Sequence, residues 1–215
     1  AITLFFSSIL AYVVTKTEMV ARRFVYRATV FTMYVSAGLI PWFIAMKTYG
    51  LKDSFLLYIL PTAVSPFAIV LIKTYIESIP PSIEESAVVD GAGYFTIFRS
   101  IVLPLAKPVI AAVAVFAAVY QWNQWQDNFF LVSKSSLQTM QYTLMLFLRQ
   151  AETLALAMAQ NSKDPLLLEQ LRRQPLNPFT VRTAITVVTI VPILVVYPIL
   201  QRHFVSGIML GAVKG

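Results

Sequence analysis

The stretch Thr183–Gln201, TAITVVTIVPILVVYPILQ, contains 19 residues and no charged side chain. Three other uncharged runs have the same length, namely Ala28–Met46, Ser54–Ile72 and Pro108–Gln126. At about 1.5 Å of rise per residue, such a run forms a helix of roughly 28 Å, close to the ~30 Å thickness of the hydrocarbon core of a bilayer. The sequence therefore predicts four complete membrane-spanning helices.

A fifth uncharged run covers residues 1–15 and is shorter than a full span. Because the sequence opens at Ala1 rather than at an initiator Met, we expect a truncated helix whose first part lies upstream. No basic stretch precedes the run and no small-residue cleavage site follows it before Lys16, which argues against a signal peptide.

The composition is typical of a membrane protein. Apolar residues make up 58% of the chain and charged residues 13%, and the mean hydropathy is +0.71, whereas a soluble domain carries about 25% charged residues. Disorder and a disulfide scaffold are excluded, since order-promoting residues dominate and cysteine is absent. The predicted fold class is all-α: a polytopic membrane helix bundle, one domain over residues 1–215.

Basic residues in the connections predict the orientation of the bundle. The link from Lys16 to Arg27 holds four basic residues, against two in the link from Lys47 to Asp53, so the first link is predicted to be cytoplasmic. Alternation then puts residues 77–107 inside, the segment 127–182 outside and the tail 202–215 inside. The net charge of +7 belongs mostly to these flanks, and nucleic-acid binding loses its main support.

The connection 77–107 carries the most specific pattern. Ser82 and Glu85 have the spacing of a capping box, which predicts a short helix after Pro80-Pro81. A second short helix is predicted over Tyr94–Ser100, ending near Leu103-Pro104. Between the two helices, small residues let another surface approach the backbone and let the chain turn back. Such a helix pair is suited to the groove of a partner.

The segment EESAVVDGAGYFTIFRSIVLPLAKP, residues 84–108, resembles the EAA loop of permease subunits of bacterial ATP-binding cassette (ABC) importers. Glu85-Ser86-Ala87, Gly91, Ile101 and Leu103-Pro104 fall in its register, with Ser86 in place of the first Ala. In the family this loop is the coupling helix, seated in a cleft of the nucleotide-binding subunit. The resemblance implies that contact with the ATPase subunit is made by Glu84, Glu85, Ser86, Ala87, Asp90, Gly91, Ala92 and Gly93. Residues 77–107 are called the EAA loop below.

The resemblance extends over nearly the whole chain. Tyr120-Gln121-Trp122-Asn123 and the terminus are similar to carbohydrate importer permeases of the maltose type, and the tracts 121–127 and 137–141 to a subgroup for complex or acidic oligosaccharides that includes the second permease of the alginate importer. Such subunits usually have six spans, which implies one more before Ala1. The resemblance also implies a bacterial inner membrane location, a homologous second permease, a dimer of ATP-binding subunits, an extracytoplasmic solute-binding protein and an oligosaccharide substrate.

The residues themselves indicate no catalytic or metal site. There is one histidine, His203, and no phosphate-binding loop, so we expect no cofactor in this chain and expect ATP and Mg²⁺ in the partner subunits. The four complete runs contain no Asp, Glu, Lys or Arg, which disfavours an ion-coupled secondary carrier. Such a carrier and a membrane assembly protein without transport function remain the alternatives.

A polar aromatic cluster ends the run 108–126. Sugars are bound by aromatic faces together with side-chain amides, so part of this cluster is predicted to face the translocation pathway. An aromatic belt at the membrane interface is the alternative. The cluster consists of Gln121, Trp122, Asn123, Gln124 and Trp125.

The outer segment 127–182 is too long for a simple connector. Apolar residues recur at helical spacing from Leu137 to Ala159, which predicts an amphipathic lid helix, and the family implies a docking surface for the binding protein. A turn is predicted at Ser162–Pro165 and a short helix at Leu166–Arg173. Prolines inside the spans indicate kinks, either structural or belonging to a pathway that opens and closes.

Overall fold

The computed structural model describes residues 1–159 and 178–208, and the regular structure there is helical, which confirms the all-α fold class. Short 3-10 turns lie at Phe55–Tyr58 and Ser135–Leu137. The helices are α1 (Ile2–Val13), α2 (Arg22–Thr32), α3 (Leu39–Thr48), α4 (Pro66–Glu77), α5 (Pro81–Val89), α6 (Tyr94–Leu105), α7 (Lys107–Trp122), α8 (Gln126–Leu131), α9 (Met140–Ala159) and α10 (Pro178–Ile208).

The main core lies where α1 and α4 pack together and meet α6 and α7. Small buried residues of α1, Ser7, Ser8 and Ala11, let the helix backbones approach closely. The hydroxyl of Ser7 accepts a hydrogen bond from the backbone N–H of Ser65 at 3.1 Å, which fixes the start of α4 against α1. The buried apolar residues of this core are Ala11, Tyr12, Ala68, Ile69, Ile72, Ile76, Ala87, Ile97, Phe98, Val102 and Val113.

A second, smaller core joins α3, the chain that follows it, and α8. It consists of Met46, Leu51, Leu57, Leu131 and Val132. Backbone pairing supports it, since the N–H of Asp53 donates to the carbonyl of Leu131 at 3.0 Å. The outer connection after α3 is therefore held against the start of the segment that was predicted to lie outside.

Two of the predicted spans are not continuous helices. The run 28–46 is divided between α2, which begins earlier at Arg22 and ends at Thr32, and α3, whose N-cap is Gly38 with a φ of 82°. The run 54–72 contains the 3-10 turn Phe55–Tyr58 and then irregular chain up to α4, in which Pro66 occupies the first turn. The interruptions go further than the kinks predicted from the prolines, because hydropathy reports transfer into lipid and does not locate the ends of a helix.

Within the described residues, one helix is by itself long and apolar enough to cross a membrane: α10, whose window Phe179–Val196 has a mean hydropathy of 2.1. A second candidate exists if α6 and α7, which are bent by 77° relative to one another, count as one broken span. The apolar helices α1 and α3 are shorter. The membrane boundaries of the remaining predicted spans stay predictions.

The outer segment and the tail lie partly outside the described residues. Helix α9 agrees with the helix predicted from Leu137 to Ala159, and it packs against α10. The predicted turn at 162–165 and the short helix at 166–173 lie outside the described residues. Helix α10 continues through Pro192 and Pro198 and includes the first residues of the predicted tail, up to Ile208.

Candidate functional site: the EAA loop and a cavity at the opposite end of α1

Helix α5 opens the EAA loop with proline rather than with a capping box. Its cap position is Pro80, which has no side-chain hydrogen bond to the helix, and Pro81 stands in the first turn. A proline there lacks an N–H that has no intrahelical partner anyway, and its ring already holds the helical φ. The hydroxyl of Ser86 donates to the carbonyl of Ser82 at 2.7 Å. The predicted capping box of Ser82 and Glu85 was therefore wrong, although the short helix that it predicted is present.

Gly91 ends α5 in a left-handed turn. Its φ is +80°, its N–H donates to the carbonyl of Val88 at 3.0 Å, and the N–H of Ala92 donates to the carbonyl of Ala87 at 2.9 Å. This pair of bonds is the Schellman motif, which satisfies the last carbonyls of a helix and requires a residue that tolerates positive φ. A Cβ built at Gly91 or Gly93 meets nothing within 4 Å, so neither position packs closely against this chain.

One face of the EAA loop is apolar and exposed. Val89 is 87% exposed and Phe95 is 71% exposed, and Val88 and Tyr94 are more than half exposed. Glu85, Ser86, Asp90 and both glycines are exposed beside them. Apolar side chains gathered on a polar connection mark a contact surface for another molecule. The name coupling face is used below for Glu85, Val88, Val89, Asp90 and Phe95.

The opposite face of the loop is anchored inside the protein. Ala87 is buried in the main core, together with Ile97 and Phe98 of α6. Glu84 is partly buried and forms an ion pair with Lys16, which follows α1. Of the eight residues predicted to contact a partner, Glu84, Ala87 and Ala92 thus lie wholly or partly on the inner side, and the other five lie exposed.

Helix α6, the second helix of the EAA loop, leads into the bundle through an irregular stretch. It contains a π-helical turn at Phe98–Val102, and Pro104 follows in the next turn. Residues 103–105 are still helical, so the helix extends slightly past the predicted stop near Leu103-Pro104. At Ala106 the chain bends by 77° into α7. A π turn and a proline both interrupt the backbone hydrogen bonds of a helix, and such interruptions are the usual cause of sharp bends.

A cavity of about 880 Å³ lies at the end of α1 that is opposite to Lys16. It is bounded by the first residues of α1, the irregular chain before α4, and one face of α7. The lining is mostly apolar and aromatic, with one side-chain amide and a few hydroxyls, a composition typical of sites for small organic ligands. Its aromatic and amide residues are Tyr58, Phe67, Phe116, Tyr120 and Gln121.

The five predicted pathway residues are distributed over different surroundings. Gln121 lines the cavity, and its amide nitrogen lies 3.4 Å from the carbonyl oxygen of Tyr58. Trp122 points elsewhere, since its indole N–H donates to the carbonyl of Thr189 in α10 at 3.2 Å. Asn123 is exposed after the last residue of α7.

The two remaining members of that cluster pack against the outer segment. The ring of Trp125 makes an edge contact with Phe129 at 6.3 Å between centroids, and the carbonyl of Gln124 accepts a hydrogen bond from Thr139 at 3.4 Å. Tyr120, which belongs to the same polar aromatic tract of the sequence, lines the cavity, whereas sequence reasoning missed Tyr58 and Phe116. The spacing of Phe116 and Tyr120 by four residues, which puts them on one face of α7, was the available signal.

Comparison with known proteins identifies the family. Residues 3–210 match the model of the family described as binding-protein-dependent transport system inner membrane component. The chain is 36% identical over its full length, and over 72% of the relative, to the polygalacturonan/rhamnogalacturonan transport system permease protein YtcP of Bacillus subtilis (strain 168). It is 27% identical over its full length, and over 69% of the relative, to the arabinooligosaccharides transport system permease protein AraQ of Halalkalibacterium halodurans.

A solved structure has the same fold. The chain matches, with a TM-score of 0.76 and 30% identity, a chain in the crystal structure of a bacterial ABC transporter involved in the import of the acidic polysaccharide alginate; the match covers 94% of this chain and 69% of that one. The register of the EAA loop, the anchored helix pair and these similarities agree. The chain is a membrane-embedded permease subunit of an ABC importer and belongs to the family of binding-protein-dependent transport system inner membrane components.

Proposed function

We propose that this permease subunit moves an oligosaccharide, including an acidic one of the alginate type, across the bacterial inner membrane. The observation that carries the substrate class is the cavity, which combines aromatic faces with the amide of Gln121. Aromatic rings stack on the apolar faces of sugars, and amides bind hydroxyl groups. The named substrates of the similar proteins, polygalacturonan/rhamnogalacturonan, arabinooligosaccharides and alginate, support the same class.

The energy for transport comes, in this proposal, from a dimer of ATP-binding subunits that seats on the coupling face. ATP and Mg²⁺ are bound by those subunits, and this chain contributes no catalytic group or cofactor. The exposed apolar residues Val89 and Phe95 supply the contact area, and Glu85 and Asp90 supply charge beside it. ATP-driven closure of the dimer moves the EAA loop, and the bundle changes the side on which the cavity is open.

The complete importer contains two further kinds of partner in this proposal. A homologous second permease forms the other half of the pathway, and helices whose apolar surfaces are exposed, such as α10 with 0% of its apolar window buried, contact it or membrane lipid. An extracytoplasmic solute-binding protein delivers the sugar to the outer segment. The chain crosses the membrane several times.

The test is co-purification of the tagged chain from its native membrane, with mass identification of its partners. The complex is then assayed for ATP hydrolysis with neutral and uronic-acid oligosaccharides in the presence of the binding protein. Recovery of an ATPase subunit and a second permease, with hydrolysis stimulated by a sugar, supports the proposal and names the substrate class. Uptake that persists without an ATPase and collapses with the proton gradient overturns it in favour of an ion-coupled carrier.

A further inference from the structure

The chain that follows α1 lies directly against the EAA loop. Lys16 forms an ion pair with Glu84 of α5, 68 residues further along the sequence. The two side chains are only 19% and 23% exposed, so most of their surface is shielded from solvent. The Nζ of Lys16 also lies 4.2 Å from the centroid of the Tyr12 ring, a distance at which a cation is attracted to the face of an aromatic ring. Lys16 is thus held from two sides.

The same segment approaches the second short helix of the loop. Glu18 lies beside Tyr94, the first residue of α6, and its negative charge raises the pKa of the Tyr94 hydroxyl. Both groups are exposed, so this contact alone is weak. Together with Lys16, however, it connects residues 16–18 to each of the two helices that form the EAA loop.

The two neighbouring glutamates of α5 have different surroundings. Glu84 is turned toward Lys16, whereas Glu85 is exposed on the coupling face. Successive residues of an α-helix point about 100° apart, so one helix can present Glu84 inward and Glu85 outward. Within the described ranges 1–159 and 178–208, Glu85 forms no ion pair. Both glutamates were predicted to contact the ATPase subunit. Their surroundings instead suit Glu84 to a contact inside this chain and Glu85 to a contact with a partner.

Helix α1 connects this ion pair with the cavity. Its first residues line the cavity, and the hydroxyl of Thr3 donates to the carbonyl of Thr62 at 2.6 Å in the cavity wall. At its other end, Tyr12 packs against Phe98 of α6 with 5.1 Å between the ring centroids. A single short helix thus contacts the EAA loop at one end and the cavity at the other. Two distant sites are energetically coupled when both shift the equilibrium between two arrangements of a packed element that lies between them.

We propose that Lys16 and Glu84 are positioning residues that fasten the EAA loop to α1, so that movement of the loop shifts the helix that bounds the cavity. The proposal rests on the proposed function of the loop as the ATPase contact. An exposed ion pair contributes little, but this pair is mostly shielded, and removal of either partner leaves the other charge uncompensated. Without the pair, the loop keeps its apolar contacts through Ala87, and α1 follows its movement less closely.

The test uses the assembled importer in proteoliposomes and measures ATP hydrolysed per oligosaccharide transported. Lys16→Glu and Glu84→Lys are each expected to raise this ratio by about threefold or more, and the double exchange is expected to restore it to within about twofold of the wild type. As a matched control, Glu85→Lys is expected to weaken binding of the ATPase subunit, with no recovery by Lys16→Glu. A wild-type ratio in both single variants, or a double exchange no better than the worse single, overturns the proposal.

A second measurement examines the geometry without transport. The chain contains no cysteine, so Lys16→Cys combined with Glu84→Cys can be treated in native membranes with a short bifunctional thiol reagent. We expect efficient cross-linking of this pair and little for Lys16→Cys with Glu85→Cys. Equal cross-linking of the two pairs overturns the ion-pair geometry. By contrast, a wild-type complex that binds no ATPase subunit contradicts the proposed function, whatever the cross-linking result.

Discussion

The side-chain amide of Asn128 donates a hydrogen bond to the hydroxyl of Tyr58 at 2.5 Å, across 70 residues of sequence. Both groups also donate to the carbonyl of Leu137, Tyr58 at 2.9 Å and Asn128 at 3.2 Å. Asn128 is 0% exposed, so these bonds replace water that it has lost. One buried polar pair thus fastens the outer segment to the chain that bounds the cavity.

Replacement of Asn128 by Leu is expected to destabilise the protein. The substitution removes two donated hydrogen bonds and leaves the hydroxyl of Tyr58 with one partner fewer, which costs about 1–3 kcal/mol for a buried polar group. The measurement is the apparent melting temperature of the detergent-solubilised complex. Asn123→Leu is the matched control because Asn123 is exposed. Equal melting temperatures for the two variants would contradict the structural role of Asn128.

The two glycines of the EAA loop are expected to respond differently to alanine. Gly91 has a φ of +80°, where a Cβ costs about 1–2 kcal/mol, whereas Gly93 has a φ of −74° and open space around it. Gly91→Ala should therefore lower the yield of folded complex and Gly93→Ala should not. Gly91→Asn should recover part of the loss, because Asn tolerates this conformation better than Ala. The readout is monodisperse yield in size-exclusion chromatography.

Bulk at Gly93 tests the coupling face more directly than bulk at Gly91. Gly91→Trp is expected to uncouple ATP hydrolysis from transport, but it combines steric bulk with backbone strain. Gly93→Trp introduces the bulk without the strain, because the backbone there suits any residue. We expect Gly93→Trp to insert and fold normally. Its transport rate should fall more than about tenfold, since the added side chain blocks a tightly packed contact. Transport at the wild-type rate would contradict contact with a partner at this position.

The EAA loop was predictable because its signals are local. Proline, small residues and the spacing up to Pro104 lie within one short stretch of sequence, and the structure has a helix pair there. The capping box failed since Pro81 favours a helix start one residue before Ser82. The breaks before α3 and α4 were missed because the absence of charge in a run does not show where a helix begins. It did not indicate that α3 begins after Gly38 or that α4 begins only at Pro66.

The cavity was only partly predictable because its residues come from distant segments. Gln121 was predicted, but Tyr58 lies in a 3-10 turn inside a predicted span, and nothing in its own neighbourhood of sequence indicates that it meets α7. The orientation of Trp122 depends on a carbonyl of α10, 67 residues away. Long-range packing decides which aromatic residues face a cavity, and a single sequence does not encode those pairs in a local pattern.

Asp53 is expected to make the outer connection sensitive to acid. The backbone N–H groups of Ser133 and Lys134 donate to its carboxylate and hold the pKa of Asp53 below its usual value. A depressed pKa in the folded state adds stability above the unfolded value of about 3.9, and this contribution disappears as the pH falls through the lower, folded value. The outer connection should therefore become less stable below about pH 4.

The variant that isolates this charge is Asp53→Asn. Asp53 has a φ of 55°, a conformation that Asn also tolerates, so the backbone is expected to remain the same. Limited proteolysis of the connection 49–58 is measured between pH 3 and 7. The wild type should become more susceptible at the acid end, and the variant should be more susceptible at neutral pH with a flatter profile. Parallel profiles would assign the acid effect to another group.

The aromatic residues at the end of α7 are expected to separate into substrate and packing roles. Phe116 and Tyr120 line the cavity and are 53% and 58% exposed, whereas Trp122 donates to α10. Tyr120→Ala should therefore raise the KM for the oligosaccharide about tenfold with the complex intact, because loss of a stacking contact costs about 1–2 kcal/mol. Trp122→Ala should lower the melting temperature instead, since it removes both ring packing and the bond to Thr189.

The informative control is Trp122→Phe, which keeps one aromatic ring and removes the pyrrole part of the indole with its N–H. If Trp122 acts through packing, this variant should retain the wild-type KM and lose part of the thermal stability, because the carbonyl of Thr189 loses a donor. If Trp122 instead grips the sugar, the KM should rise in Trp122→Phe and the melting temperature should stay unchanged. Transport kinetics and thermal unfolding of the same preparations therefore distinguish residues that contact the substrate from residues that stabilise the fold.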